Sequence, residues 1–400
     1  MESYLGEWLN LLLRWFHVIA AIAWIGESFY FVMLDLSLEV PKDAASRARG
    51  VFGELWAVHG GGFYNSQKYL VSPPQMPEHL HWSKWKSYAT WLSGFALFTV
   101  LYLAQPRTYL IDPSVLEIGS GEAIGFALGF LLLGWFVYDA LCHMLAEREG
   151  LLGAILAVLV VLAAWCTTHI FSGRAAFLIT GATLATIMTA NVFFVIIPGQ
   201  RLMVASLARG EVPDPLPGKL GRQRSVHNTY FTLPVVFAMI SNHYALTYAG
   251  RDNWVVLSVL MLSGALVRQF FVLRHGGRSV WTLPVGSAVL VAGLVIWMSP
   301  RELGSGAVAA ADAGGTPVTL ADIRPIIVQR CEVCHSAHPT LMESAPQGVM
   351  FDTPQEIETN AARIYQQAVR LKVMPLGNVT GITEAERVRL GQWVRDRGVQ

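Results

Sequence analysis

Two cysteines and a histidine near the C-terminus carry the clearest chemical signal in this chain. Cys331 and Cys334 are separated by two residues, and His335 follows at once. This is the attachment pattern of haem c, in which both thiols form thioethers with the haem vinyl groups and the histidine binds the iron. A structural cysteine pair or half of a zinc site is the alternative, but zinc needs two more ligands and His338 is the only spare one. The spacing therefore predicts a covalently bound haem c.

The haem iron needs a second axial ligand, and a thioether sulfur in that position raises the reduction potential. Met374, which is followed by Pro375, lies far enough from the motif to approach the iron from another segment. Met342 and Met350 are alternatives that lie much closer to the haem-binding turn. We therefore predict that His335 and Met374 are the axial ligands.

The residues around this motif predict the short helices of a small cytochrome c. A helix is expected from Leu320 to the haem-binding turn. A second helix should open at Thr383, where Glu386 completes a capping box. Its Leu390 and Trp393 are expected to pack against the first helix or the haem edge.

The composition indicates a membrane protein. Of the 400 residues, 53% are hydrophobic and only 14% are charged, whereas soluble domains are about 25% charged. The net charge of +1 argues against a nucleic-acid partner. Four cysteines are too few for a disulfide framework, and Cys142 and Cys166 lie in apolar runs as expected of buried small hydrophobes. A lipid bilayer is therefore the expected surrounding of most of the chain.

Apolar runs long enough to cross a bilayer divide the first three quarters of the sequence. They predict eight spans, at roughly 9–34, 88–105, 122–145, 151–172, 176–198, 230–249, 253–273 and 280–299. The sequence then becomes rich in alanine and glycine, which predicts a flexible tether, before it turns polar. We therefore predict an all-α protein in three parts: an eight-helix transmembrane bundle over 1–300, a tether over 301–317, and a small soluble cytochrome c domain over 318–400.

The distribution of positive charge predicts the orientation of these spans. Haem c is attached outside the cytoplasm, and an even number of spans places both ends of the chain on one side. Most lysines and arginines then fall in connections assigned to the cytoplasm, as the positive-inside rule expects. The first apolar run is too long for a cleavable signal peptide. These features predict a multi-pass protein of a bacterial inner membrane, with the N-terminus and the cytochrome domain in the periplasm.

Ionisable residues inside the apolar runs are functional candidates, because they are costly in hydrocarbon. His17, His169 and His243 are expected in the periplasmic half of the membrane, and His143 near the cytoplasmic edge. Two of the first three could hold a haem b, with His17 the first candidate because small residues share its helix face. Hydrogen bonds between helices are an equally weighted alternative. Three acidic residues are candidates for relaying protons: Glu27, Asp35 and Asp139.

Three stretches resemble a known family. They are RWFHVIAAIAWIGESFY at 14–30, HGGGFY at 59–64 and LHWSKWKSYATW at 80–91. With the fused C-terminal cytochrome c, they are similar to the PuuD family of membrane-bound urate oxidases (urate hydroxylases), and the resemblance covers essentially the whole chain. The first stretch also resembles HemJ-type protoporphyrinogen oxidases, in which the histidine matching His17 binds haem b. Lys86 departs from the acidic residue expected in the third stretch.

The resemblance implies that the protein converts urate to 5-hydroxyisourate in purine catabolism. Electrons would pass through haem c to a soluble cytochrome c or a terminal oxidase. Lys68, Arg268 and Gln269 are candidate contacts for the urate anion, although neighbours on a helix point about 100° apart and so cannot form one fork. Two alternatives stay open: an electron-transfer subunit that carries electrons from quinol or a partner dehydrogenase to cytochrome c, and a porphyrinogen oxidase.

Overall fold

The computed structural model describes residues 2–299, 317–342 and 344–397, and these form a predominantly helical protein. All of the predicted tether except its last residue lies outside the described residues. The helices of the first part are α1 (Glu2–Leu36), α2 (Ala44–Ala48), α3 (Trp85–Phe98), α4 (Pro106–Tyr109), α5 (Ser120–Met144), α6 (Glu149–Ile170), α7 (Gly173–Ala190), α8 (Ile197–Ala208), α9 (Leu216–Ile240), α10 (Ala245–Tyr248), α11 (Asn253–His275) and α12 (Thr282–Met298).

Seven of the eight predicted spans overlap mainly one long helix each, whereas the sixth, 230–249, covers the second half of α9, a 3-10 turn and α10. π-Helical turns extend two of the helices: Thr99–Leu103 continues α3, and Asn191–Ile196 joins α7 to α8. Among the described residues, five helices are long and apolar enough to cross a membrane: Tyr4–Leu36, Ser120–Met144, Glu149–Ile170, Gly173–Ala208 and Asn253–His275. A shorter apolar helix is α12. The complete eight-span arrangement therefore stays a prediction.

The chain also forms a β-hairpin, which the prediction of an all-α fold missed. Strands β1 (Val51–His59) and β2 (Gly62–Tyr69) pair in antiparallel register. The turn between them contains Gly60 and Gly61, whose φ values are +58° and +81°. Two successive left-handed residues suit a two-residue hairpin turn, because its twist matches that of the strands.

Helix α7 lies at the centre of the first part. Of the apolar stretch that runs through α7 and α8, 61% is buried, against 6% of the stretch in α1. Its neighbours include α5, α6 and α9, and α11 packs against α6, α9 and α12. Helix α1 packs on α3 and leaves many apolar side chains exposed. An apolar helix face without protein cover is expected of a helix that faces lipid.

Residues 317–397, as far as they are described, form a second helical unit with its own core. Its helices are α13 (Leu320–Arg330), α14 (Pro354–Thr359), α15 (Ala361–Ile364) and α16 (Glu384–Asp396). The predicted capping box of α16 is confirmed: Glu386 N–H donates to Thr383 Oγ1 at 3.2 Å, and Thr383 N–H donates to Glu386 Oε2 at 2.7 Å. Leu390 and Trp393 are buried in one core with α13, as expected.

Candidate functional site

Polar side chains meet inside the apolar core between α5, the π-helical turn after α7, and α9. Tyr138 Oη and His227 Nδ1 share a hydrogen bond of 2.8 Å. Asn191 Nδ2 donates to Tyr138 Oη at 3.0 Å and to Asn228 Oδ1 at 2.8 Å. The Arg224 guanidinium lies 5.0 Å from the centroid of the Tyr138 ring. We call these five residues the polar network, and hydrogen bonds fix the orientation of its four members other than Arg224.

The polar network contains a fully buried charge. Arg224 Nη2 donates to Asp139 Oδ1 at 2.7 Å, which balances the charge of the guanidinium. Its Nε and Nη1 have no hydrogen-bond partner among the described residues, and neither does Asn191 Oδ1. Buried polar groups are nearly always satisfied. These unpaired donor and acceptor atoms are therefore available to form hydrogen bonds with a water molecule or a polar ligand.

A second arginine, Arg268 on α11, is buried with a relative exposure of 4%. Within the described residues no carboxylate lies within 4.0 Å of it, and its Nε and Nη2 have no hydrogen-bond partner. Its guanidinium lies 4.0 Å from the centroid of the Phe29 ring on α1. An uncompensated buried cation is costly. Arg268 is thus a strong candidate for binding an anion.

The neighbour of Arg268 reaches a different partner. Gln269 Oε1 accepts a hydrogen bond from Tyr230 Oη on α9. Arg268 and Gln269 therefore point in different directions, as the geometry of a helix requires. Together Phe29, Tyr230, Arg268 and Gln269 form what we call the Arg268 cluster.

One apolar groove borders both groups of residues. It lies between α6, α9 and α11 and has a volume of about 840 Å³. His227 of the polar network and Tyr230 of the Arg268 cluster both line it, one helical turn apart on α9. The groove is therefore lined by one residue of the polar network and by one residue of the Arg268 cluster.

Much of this site was not identified from the sequence. The predicted site residues did not include Tyr138, Asn191, Arg224, His227 or Tyr230. A signal was present in α9, where polar residues occur at 223, 224, 227 and 228 beside an apolar segment. This spacing places them along one side of a helix, and polar residues at membrane depth are functional candidates.

The residues predicted to bind haem c are arranged in a way that fits the group. His335 Nδ1 is hydrogen-bonded to Val349 O at 3.0 Å, which leaves Nε2 able to bind an iron. Neither Cys331 nor Cys334 is in a disulfide, and burial raises the pKa of the Cys331 thiol to about 12. Burial also raises the pKa of the Cys334 thiol. Both cysteines are therefore free to form the thioether bonds that haem attachment requires.

The candidate sixth ligand is held by its backbone. Met374 N–H donates to Gln367 O at 3.1 Å, and Met374 O accepts from Arg387 Nη1 at 2.8 Å. Met350, in contrast, directly precedes Phe351, whose N–H donates to His335 O at 2.9 Å. The backbone next to Met350 is therefore bonded to that of the proximal histidine, and the choice of Met374 as sixth ligand stays a prediction. Among the described residues there is no group of three or more His, Cys, Asp or Glu side chains that could hold a metal ion.

Replacing Met374 with alanine should lower the reduction potential of the haem and abolish its sulfur-to-iron absorption band. Redox titration and the near-infrared spectrum of the full-length protein measure both. Met342→Ala and Met350→Ala are matched controls, and each should keep the band. If the band survives in Met374→Ala and disappears in one of the controls, the ligand assignment is wrong.

The three histidines proposed for haem b lie on separate elements. His17 on α1 is half-buried, and its Nδ1 is hydrogen-bonded to Thr90 O at 3.0 Å and to Ser93 Oγ at 3.1 Å. His169 on α6 and His243, in the turn after α9, are exposed. The bonds of His17 join α1 to α3, as the alternative interpretation expected, and they leave its Nε2 available. The pairing of these histidines around a haem b stays a prediction.

The acidic residues proposed to relay protons are paired with cations. Glu27 contacts Lys86 at 2.6 Å, and Asp35 contacts Lys68 at 2.8 Å. Asp139 pairs with Arg224 of the polar network. Lys68 lies on β2, so the predicted substrate contacts Lys68 and Arg268 are on different elements and no described hydrogen bond joins them.

Comparison with known families finds a match for most of the chain. The family description "Urate oxidase N-terminal" matches residues 3–299. No curated protein and no solved structure matches the chain. The matched range contains the polar network, the Arg268 cluster and the groove, and it ends before the C-terminal unit. On this match, the chain belongs to the urate oxidase N-terminal family.

Proposed function

We propose that the protein is a membrane-bound urate oxidase (urate hydroxylase) that converts urate to 5-hydroxyisourate in purine catabolism. The observation that carries this proposal is Arg268, which lies buried and without a carboxylate in the part that matches the family. Urate is a planar anion at neutral pH. A guanidinium with open N–H groups presents flat, charged donors that suit such an anion.

The reaction needs water and an electron acceptor. Urate and one water molecule give 5-hydroxyisourate, two protons and two electrons. In this proposal Arg268 binds the anion beside the Phe29 ring, and Tyr230 on α9 lies within electrostatic range of the guanidinium. His227, which Tyr138 orients at the groove wall, accepts a proton from the attacking water.

The C-terminal unit supplies the exit for the electrons. Haem c, when bound by Cys331, Cys334, His335 and Met374, provides a one-electron acceptor of raised potential. A haem b bound by His17 with His169 or His243 would stand between the site and this exit. The final acceptor would be a soluble cytochrome c or a terminal oxidase.

The proposed location is a bacterial inner membrane, with the N-terminus and the cytochrome domain in the periplasm. Five helices of sufficient length and apolarity support a membrane location. The excess of lysine and arginine in alternate connections supports the orientation. Urate would then reach Arg268 from the cytoplasmic half of the membrane.

Consumption of urate by the purified full-length protein tests this function. We expect 5-hydroxyisourate to form while hydrogen peroxide does not accumulate in proportion to the urate consumed, because haem c and not dioxygen receives the electrons. Stoichiometric peroxide would indicate an oxidase that hands electrons directly to oxygen. An absence of urate consumption in a haem-replete preparation would refute the proposal.

His227→Gln should lower kcat by about 100- to 10,000-fold, the usual contribution of a general base, with little change in KM. Steady-state kinetics with urate measure both constants. His275→Gln, which alters a histidine at the far end of α11, is the control and should behave as the wild type. An unchanged kcat in His227→Gln would remove His227 from the mechanism.

The groove favours a second candidate function. Its lining is largely apolar, which suits the ring and tail of a quinol. The protein would then be an electron-transfer subunit that carries electrons from quinol to cytochrome c. Quinol-dependent reduction of haem c that is unaffected by Arg268 substitutions would support this candidate over urate oxidation.

His17→Ala should reduce the amount of non-covalent haem in the full-length protein. Extraction with acidified acetone separates haem b from haem c, which stays attached to the chain. Gly94→Ala is a second test, because its Cβ would lie 2.8 Å from His17 Cε1 and would displace the ring. His143→Ala is the control, since that side chain is exposed and bonds within α5. Unchanged extractable haem in His17→Ala, or no extractable haem in the wild type, would leave the His17 ring with a structural role only.

A further inference from the structure

We infer that the segment Leu376–Asn378, which follows the predicted haem ligand Met374, docks the C-terminal unit on the first part of the chain. At this docking point, a series of aromatic rings leads electrons towards haem c. The inference rests on the proposed function for its electron-transfer half only. The docking half stands on the contacts themselves.

Gly377 marks the docking point. Its φ is +58°, and a Cβ built on it would lie 2.8 Å from Ile111 O and 3.4 Å from both Arg107 O and Thr108 O. The Gly377 backbone therefore rests against three carbonyl groups of the segment 107–111, which comprises the end of α4 and the two residues that follow it. Only glycine combines this conformation with so close an approach.

Oppositely charged side chains lie on the two sides of the docking point, as expected of a specific interface. Arg387, which donates to Met374 O, lies within electrostatic range of Asp112 on the opposite side. A second contact of 3.5 Å joins Ser344 Oγ to Glu7 Oε1 near the start of α1. Both contacts are at the end of the bundle that the charge distribution assigns to the periplasm, where haem c is expected.

The segment that receives Gly377 is held rigidly by α7. Ser172 N–H donates to Leu110 O at 2.8 Å, and Ser172 Oγ donates to Tyr109 O at 2.8 Å. Leu110 is fully buried. The Arg174 guanidinium lies 5.7 Å from the centroid of the Tyr109 ring. The surface on which the C-terminal unit rests is therefore preformed.

Aromatic rings run from this surface into the first part of the chain. The ring centroids of Tyr109 and Tyr102 are 5.5 Å apart, and those of Tyr102 and Phe98 are 5.7 Å apart. Further along α3, Trp91 and Phe95 stack with centroids 5.1 Å apart. This is the stretch of α3 that also bonds His17, through Thr90 and Ser93. Phe98, Tyr102 and Tyr109 thus form a continuous series at the docking point, and Trp91 with Phe95 forms a separate stacked pair on α3 nearer His17. Short spacings between rings favour electron transfer.

Comparing Gly377→Ala with Gly348→Ala tests the docking half. Both glycines have positive φ, +58° and +67°, but a Cβ at Gly348 would meet nothing within 4 Å. Hydrogen exchange of the full-length protein should be faster over 106–112 in Gly377→Ala and unchanged in Gly348→Ala. The haem spectrum should stay unchanged in both variants. Equal exchange in both variants would overturn the docking assignment.

Urate-driven reduction of haem c tests the electron-transfer half. In Gly377→Ala it should slow by roughly tenfold to a hundredfold, the cost of a small misplacement of reacting groups. Tyr109→Leu should slow it similarly, and Tyr109→Phe, which keeps the ring, should not. Wild-type rates in Tyr109→Leu would overturn the aromatic route. If urate fails to reduce wild-type haem c, the proposed function fails, while the exchange result still decides the docking.

Discussion

Arg268→Met should sharply weaken urate oxidation while leaving the protein at least as stable as the wild type. Each charge-assisted hydrogen bond contributes about 1.5–3 kcal/mol, so KM should rise about 10- to 100-fold for each hydrogen bond to urate that the substitution removes. Stability should not fall, because Arg268 has no described carboxylate partner and replacing a buried charge by an apolar group is neutral or stabilising. Steady-state kinetics and thermal unfolding measure the two effects.

Arg224→Met provides the contrast. It removes the partner of Asp139 and breaks the polar network, so it should lower the melting temperature. The loss in the free energy of unfolding should stay below the roughly 3–5 kcal/mol typical of a broken buried pair, because the Asp139 side chain is 29% exposed.

Arg268→Lys keeps the charge without the planar fork of the guanidinium. Compared with Arg268→Met, it should restore only part of the affinity for urate. An Arg268→Met protein that loses stability but keeps its KM would show that Arg268 is structural.

Replacing Cys331 and Cys334 together with serine should abolish covalent haem and stop urate turnover. The electrons would then have no acceptor, whereas the Arg268 cluster lies in the other part of the chain and should still bind urate. Haem staining after denaturing electrophoresis, urate consumption and equilibrium binding of urate separate these effects. Cys166→Ser is the matched control, since Cys166 is a free cysteine on α6 outside the site. Continued turnover in the double variant, with release of peroxide, would show that haem c is not the exit.

The sequence predicted the features that depend on local pattern. Apolar runs predicted the positions of the long helices, and Thr383 with Glu386 predicted a capping box that the structure confirms. The hairpin was missed, although Gly60 and Gly61 lie between stretches that contain several aromatic residues. A Gly-Gly pair flanked by aromatic residues is a hairpin signal.

The site could be predicted only in part, because its members are far apart in the sequence. Arg268 could be identified alone, as a cation near the end of an apolar run. Its partners Phe29 and Tyr230 come from α1 and α9, and only helix packing brings them together. The polar network draws Tyr138, Asn191 and Arg224 from three segments in the same way. A single polar residue in an apolar segment does not identify a site from the sequence. The site becomes recognisable only when the packed helices bring these residues together.

The most direct test of the proposed function is anaerobic. Full-length protein, purified with its haem and freed of oxygen, is mixed with urate while the haem c absorption is followed. We predict prompt reduction of haem c, with one urate consumed for every two electrons transferred, and much slower reduction in Arg268→Met at the same urate concentration. If urate leaves haem c oxidised while a quinol reduces it promptly, the protein is an electron-transfer subunit and not a urate oxidase.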